Sequence, residues 1–263
     1  MTRIQPQTVA DKLAKEINEF LDGVTHTDSY NKMVFARLIK QATELQSKGQ
    51  VIDGCLLRSS LYSGTGQFAD AEKMFDNVKA NNGHSEARAA RFHHWVNHGF
   101  ASEALKQADL FFADRTHYNF IDVAELVMAA GGFSKVAEKL ELSQRNQEVL
   151  KMTTTVLEIA TQGSQVLKLL EVSDAQIAAM LDLAGEILRA NKLSWQGHIP
   201  DMHVLLPENG GPALMFDYRV FVSPQKSARM NWALTEALVG HDLDIAGIHI
   251  GFVGTDLPVR LAA

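Results

Sequence analysis

The chain has 263 residues, 46% of them hydrophobic and 21% charged, enough for one large or two smaller globular domains with an ordinary core. Its formal charge of -6 works against general attraction to nucleic acid or anionic membranes, which needs Lys and Arg clustered on one face. The single cysteine, Cys55, excludes an internal disulfide and a cysteine-based zinc cluster, and its apolar helical surroundings suit a small buried hydrophobe.

The N-terminal stretch has no apolar core of the secretory kind, and no run approaches the roughly 20 apolar residues of a membrane span. A cytoplasmic protein without membrane association is expected. Residues 1–193 read as helices almost throughout. The first is predicted from Thr8 to Asp22, with Thr8 and Asp11 forming a capping box and Gly23 ending it. A second is predicted from Ser29 to Lys48, closed by Gly49.

From Val51 a longer regularity appears. Gly66, Gly99 and Gly132 are 33 residues apart, and Ala71, Ala104 and Ala137 each follow five positions later. Phe68, Phe100 and Phe133 stand one or two positions after each glycine. This pattern resembles the tetratricopeptide repeat, in which a turn glycine is followed by an aromatic and then by a small alanine where two helices pack closely. The first unit fits best, with Tyr62 in the first-helix aromatic position and Phe75 closing the second helix. The later units depart from the pattern: Ala101, Ala108, Ser134 and Glu141 stand where the family has aromatics, and the closing proline is absent from all three. The resemblance covers about residues 51–141 and implies antiparallel helix pairs with a groove for a protein or peptide.

Beyond Leu142 a helix is predicted over Gln144 to Ala160. Another is predicted over Asp174 to Asn191, capped by Ser173 and Gln176, with an apolar face suited to capping the array or to an oligomer contact. Near residue 193 the texture changes as Pro200, Pro207, Gly210, Gly211 and Pro212 cluster. Strands are predicted at 202–206, 213–222 and 245–254, with a helix opened by Ser223 and Pro224 and ended by Gly240. The expected fold is therefore mainly α: a helical-repeat-like domain over 1–193, then a small β-β-α-β module over 194–263.

Two places draw chemical attention. In "RFHHWVNHG", His94 and His98 are one turn apart, but Trp95 stands where a zinc hydrolase has its glutamate and no third ligand follows. At 100° per residue both point away from the apolar side marked by Phe92 and Val96, so they are expected to be solvated or to line a partner-binding groove. In the C-terminal module, strand alternation turns Leu214, Phe216, Tyr218, Val220 and Val222 toward the helix and leaves Asp217, Arg219 and His249, with His203, on the other face. Those four are the candidate catalytic or anion-binding residues.

"HDLD" at 241–244 reads as a solvated loop. There is no phosphate-binding loop, dinucleotide fingerprint or nucleophile elbow, and no cofactor or metal is expected. The leading expectation is a protein-interaction or scaffold protein that uses a helical-repeat groove, with the C-terminal module as a second contact or homo-oligomer interface. The alternatives are an enzyme or small-ligand binder acting through the polar sheet face, and a structural subunit of a larger assembly such as a virion or secretion apparatus.

Overall fold

The computed structural model describes residues 8–113, 120–143, 154–193, 200–206 and 211–255. These residues form a mainly helical chain that ends in a small three-stranded sheet. It divides into two compact units, Met1–His94 with Lys192–Gln196, and Trp95–Asn191 with Gly197–Ala263. The break between His94 and Trp95 falls inside one helix. Gly197–Ala263 groups with the second unit because helices of that unit cover the apolar face of the sheet.

In the first unit, α1 (Val9–Asp22) starts on the predicted capping box, with Asp11 N–H donating to Thr8 Oγ1 and Thr8 N–H to Asp11 Oδ2. Helix α2 (Lys32–Ser47) starts later than expected, because Asn31 supplies the cap by accepting from the amides of Met33 and Val34. Leu13, Ile17 and Leu21 of α1 pack on Leu38, Ala42 and Leu45 of α2 and on Leu61 of α3 (Val51–Gly64). Helix α4 (Phe68–Ala80) completes the first pair, where Cys55 packs with Met74 and Val78. Burial pushes the Cys55 thiol pKa up, in keeping with an inert core residue. Lys192 returns to this unit, its carbonyl accepting from Thr27 N–H and its ammonium pairing with Asp28.

Helix α5 (His84–Asn97) spans the division and leads through a turn into α6 (Ala101–Ala113), and α7 (Phe120–Ala129) packs with α8 (Phe133–Ser143). Each turn closes in the same way. A residue with left-handed backbone follows the helix, and the next amide reaches back five residues: Gln67 to Tyr62, Phe100 to Trp95, and Gly132 to Val127, each at 2.8 Å. Gly66 and Gly99 hold the left-handed position with φ of 73° and 64°.

In the third turn that position belongs to Gly131, with φ of 89°, and not to Gly132. The register slips by one. Val136, fully buried, then takes the small-residue place that Ala71 and Ala104 hold in the earlier pairs, and Ala137 is only half-buried. Gly132 has a different task, since a Cβ there would stand 2.7 Å from Leu105 Cδ1 of the neighbouring pair.

Of the helix predicted over 144–160, residues 144–153 lie outside the described residues. Helix α9 (Thr154–Leu169) runs well past Ala160. Helix α10 (Asp174–Ala190) carries the predicted box of Ser173 and Gln176.

The module that follows has β1 (Asp201–Leu205), β2 (Ala213–Val220), α11 (Pro224–Gly240) and β3 (Ile248–Gly254), in sheet order β1-β2-β3. Strand β1 is antiparallel to β2, whereas β2 and β3 are parallel and joined through α11, as a crossover connection requires. Leu214, Phe216 and Tyr218 are buried on the inner face, where the Phe216 ring meets Phe133 of α8 at 5.8 Å. This cover comes from α8 to α10 as well as from the expected helix, α11, which packs on β3 and α10. Asn231 of α11 seals the free edge of β3 by exchanging two hydrogen bonds with the backbone of Phe252.

Candidate functional site

His94 and His98 are each only 4% exposed, so the expectation of solvated, partner-facing histidines fails. A helix set between neighbours buries more than one face. His94 in the first unit has Nδ1 2.7 Å from Ser63 Oγ, and its ring lies edge-on to Phe68 and against Phe75. His98 belongs to the second unit, and its backbone carbonyl accepts from Arg189.

That contact belongs to a larger arrangement on α10. Asp174, Ala178, Asp182, Gly185 and Arg189 fall within about 80° of one another around the helix axis at 100° per residue. Each member of this stripe meets the start or the turn of an earlier helix. Asp174 accepts from the amides of Ser134 and Lys135 at the start of α8, at 3.0 and 2.9 Å. Asp182, eight residues on, accepts from Ser102 N–H at the start of α6. Both carboxylates thus satisfy amides that a helix start leaves without a partner, and they complement its partial positive charge.

Between and beyond the acids, small residues admit the turns. A Cβ added to Gly99 would lie 2.4 Å from Gly185 Cα, and Gly131 makes a similar approach to Ile177 and Ala178. Arg189 ends the stripe, donating through Nη1 to the carbonyls of His98 and Gly99 with its guanidinium 4.0 Å from the Phe100 ring centre. Burial lowers its pKa, against the opposing pull of Glu186 and Asp182. The expected apolar face of α10 is present and lies buried within the unit, where the helix packs on α6, α8, α11 and β3.

Beside the stripe runs an open groove of about 620 Å³. Leu105, Ala175 and Ala178 form its apolar lining, Lys106 of α6 and Lys135 of α8 flank it, and Ser102, Ser134, Ser173 and Asp174 complete it, with the Ser173 hydroxyl engaged by Gln176 and the Asp174 carboxylate by the amides of Ser134 and Lys135. Its volume is within the usual range for a ligand or a few side chains. Lys106 is paired with Glu103 at 2.6 Å and Lys135 with Asp109 at 2.7 Å. The partners are exposed, so these pairs exchange at little energetic cost. Nothing in the 33-residue spacing marks this groove, because α10 lies outside the repeated stretch.

The four residues expected on the outer face of the sheet are there. Register sets Asp217 opposite Asp201, and His203 opposite Met215, which in turn opposes His249. Arg219 Nε is 2.6 Å from Asp201 Oδ2, and His203 Nε2 is 4.0 Å from Asp217 Oδ2. His203, Arg219 and His249 are exposed. The four are displayed along an open strand surface, with Arg219 already held by a carboxylate, which gives no enclosed place for acid–base chemistry. Among the described residues no helix is long and apolar enough to cross a membrane. No family model matches the chain, and no curated protein or solved structure is significantly similar to it.

Proposed function

We propose that this is a protein-interaction protein and that the groove flanked by α6, α8 and α10 receives an extended segment of a partner. The observation that carries this reading is the pairing of an apolar floor with two lysines on its flanks. That lining suits a short peptide which lays an aliphatic side chain on Leu105 and Ala178 and turns a carboxylate toward Lys106 or Lys135. The partly buried carboxylates of Asp174 and Asp182 hold the surrounding helix starts in place, which favours a groove formed before a partner arrives.

Selection of peptides from a random displayed library against the whole protein tests this. Enriched sequences should carry an acidic residue beside an aliphatic one, and should shift the amide resonances of Ser102, Leu105, Lys106 and Lys135. Ala175→Phe, at an exposed position of the groove's lining, should abolish binding. Enrichment that is unaffected by Ala175→Phe, or that maps outside the groove, would overturn the reading.

A further inference from the structure

The outer face of the sheet carries a second pattern that spacing along the chain does not display. Strand register aligns His203 of β1 with Met215 of β2, and Met215 with His249 of β3. Directly opposed residues project to the same side of a sheet, so two imidazoles flank one thioether in a single row. The row faces outward, because its neighbours along β2, Leu214 and Phe216, are buried on the inner face. We propose that His203, Met215 and His249 form a binding site for Cu(I).

The ligand set selects the metal. A thioether is a soft donor that favours Cu(I), while zinc sites are built from imidazole, thiolate and carboxylate. Among the described residues, no three His, Cys, Asp or Glu side chains gather as a metal-binding group. It is the sulfur of Met215 that completes this set, which points away from the harder divalent ions.

Reach agrees with the chemistry. The two histidines stand two strand spacings apart, roughly 10 Å, so an ion centred over Met215 is about 5 Å from each strand. An imidazole leaning inward with a metal–nitrogen bond of about 2 Å covers that distance.

The surroundings favour the same site. Asp217, in the next row, has Oδ2 4.0 Å from His203 Nε2, where a small rotation makes the carboxylate–imidazole contact that commonly orients a ligating histidine. His203 Nδ1 is then the nitrogen left for the metal. On the β3 side the next row holds Gly251, which adds no side chain to crowd His249. The cation on this face nearest in register, Arg219, lies a further row away and is held by Asp201. Both histidines are exposed, so the ion enters and leaves directly from solution.

The test uses the full-length protein, with Ag(I) as a redox-inert stand-in for Cu(I). With the methyl groups of its nine methionines carrying ¹³C, the Met215 signal should move before the others and saturate at one equivalent of Ag(I). In a parallel competition for Cu(I) against a chromophoric chelator, Met215→Leu, which removes the sulfur but keeps the bulk, should weaken binding at least tenfold. His203→Ala and His249→Ala should each weaken it at least as much, and Asp217→Asn about tenfold. A Met215 signal that stays in place at one equivalent of Ag(I) overturns the proposal, as does a Met215→Leu protein that competes for Cu(I) as well as the parent chain. The methyl measurement decides the matter on the unmodified protein even if a variant folds poorly.

Discussion

Arg189 and Arg219 lie in the same unit and have opposite fates. The first is partly buried, donates to two backbone carbonyls and stacks on Phe100. The second lies on an open strand and touches one carboxylate that is itself 41% exposed. The same contrast runs through their surroundings: the polar stripe of α10 is committed to backbone groups, while the polar row on the sheet remains available to solvent. A charged side chain bound to backbone groups in a desolvated setting is structural cement, since removing it strands partners that water cannot reach. An exposed pair leaves its partner hydrated, contributes little, and is free to take another ligand.

The contrast is most severely tested at the two glycines where α10 meets the turn. Gly99→Ala forces a side chain into left-handed backbone and into contact with Gly185, and should cost about 3 kcal/mol or more in chemical denaturation. Gly185→Ala lies inside a helix, where the change ordinarily stabilises by up to about 1 kcal/mol. Here it should destabilise, because the new Cβ would stand 2.1 Å from the Gly99 carbonyl oxygen.

Next in size is Arg189→Ala, with an expected loss of about 2–3 kcal/mol in the same measurement. Arg189→Lys should restore less than half, lacking the planar group that bridges two carbonyls and stacks on the ring.

Asp174→Ala should lose about 1–2 kcal/mol, and Asp182→Ala less, because the latter accepts one amide and the former two. Equal losses would show that the caps are not what these residues contribute. On the outer face, Arg219→Ala should change stability by less than about 0.5 kcal/mol; a loss of 2 kcal/mol or more would erase the distinction between the two arginines.

The smallest effect concerns pH. Hydrogen bonds from Lys135 and then Lys139 hold the Asp109 carboxyl below its usual pKa. A depressed folded-state value means the contribution is present above the unfolded carboxylate pKa of about 4 and is lost as pH falls through the folded value. The parent protein should therefore lose slightly more stability than Asp109→Asn on acidification from pH 5 to 2, by at most about 0.5 kcal/mol given the exposure of the pair.

Local chemistry made much of the chain legible. The boxes at Thr8/Asp11 and Ser173/Gln176, the turns at Gly66 and Gly99 and the Ser223–Pro224 helix start all rest on neighbours within a few residues, and all appear as expected. What failed depended on distant partners. His94 points away from Phe92 around the helix, yet Ser63, Phe68 and Phe75 cover that side too. With two adjacent glycines, spacing could not decide whether Gly131 or Gly132 takes the left-handed place. On α10, hydrophobic periodicity picks out Ile177, Met180 and Leu181 and passes over a stripe of two acids, two small residues and an arginine, whose partners lie far earlier in the chain. Strand alternation places the outer sheet residues on the correct face but does not single out Met215, since only register shows it standing between two histidines.

The two carboxylates of α10 are eight residues apart, roughly 12 Å along the helix axis, and reach the starts of two different helices, α8 and α6. They are also made late. A ribosome has delivered all of α6 and α8 well before it reaches Asp174 and Asp182, so the amides at Ser102, Ser134 and Lys135 emerge without their acceptors. Until α10 appears, the second unit lacks both the acids that finish those helix starts and the arginine that closes the turn at Gly99. Its assembly is thereby postponed until α10 has been made, and a chain cut short before residue 174 should leave those helices frayed at their beginnings however well each follows its own local signals.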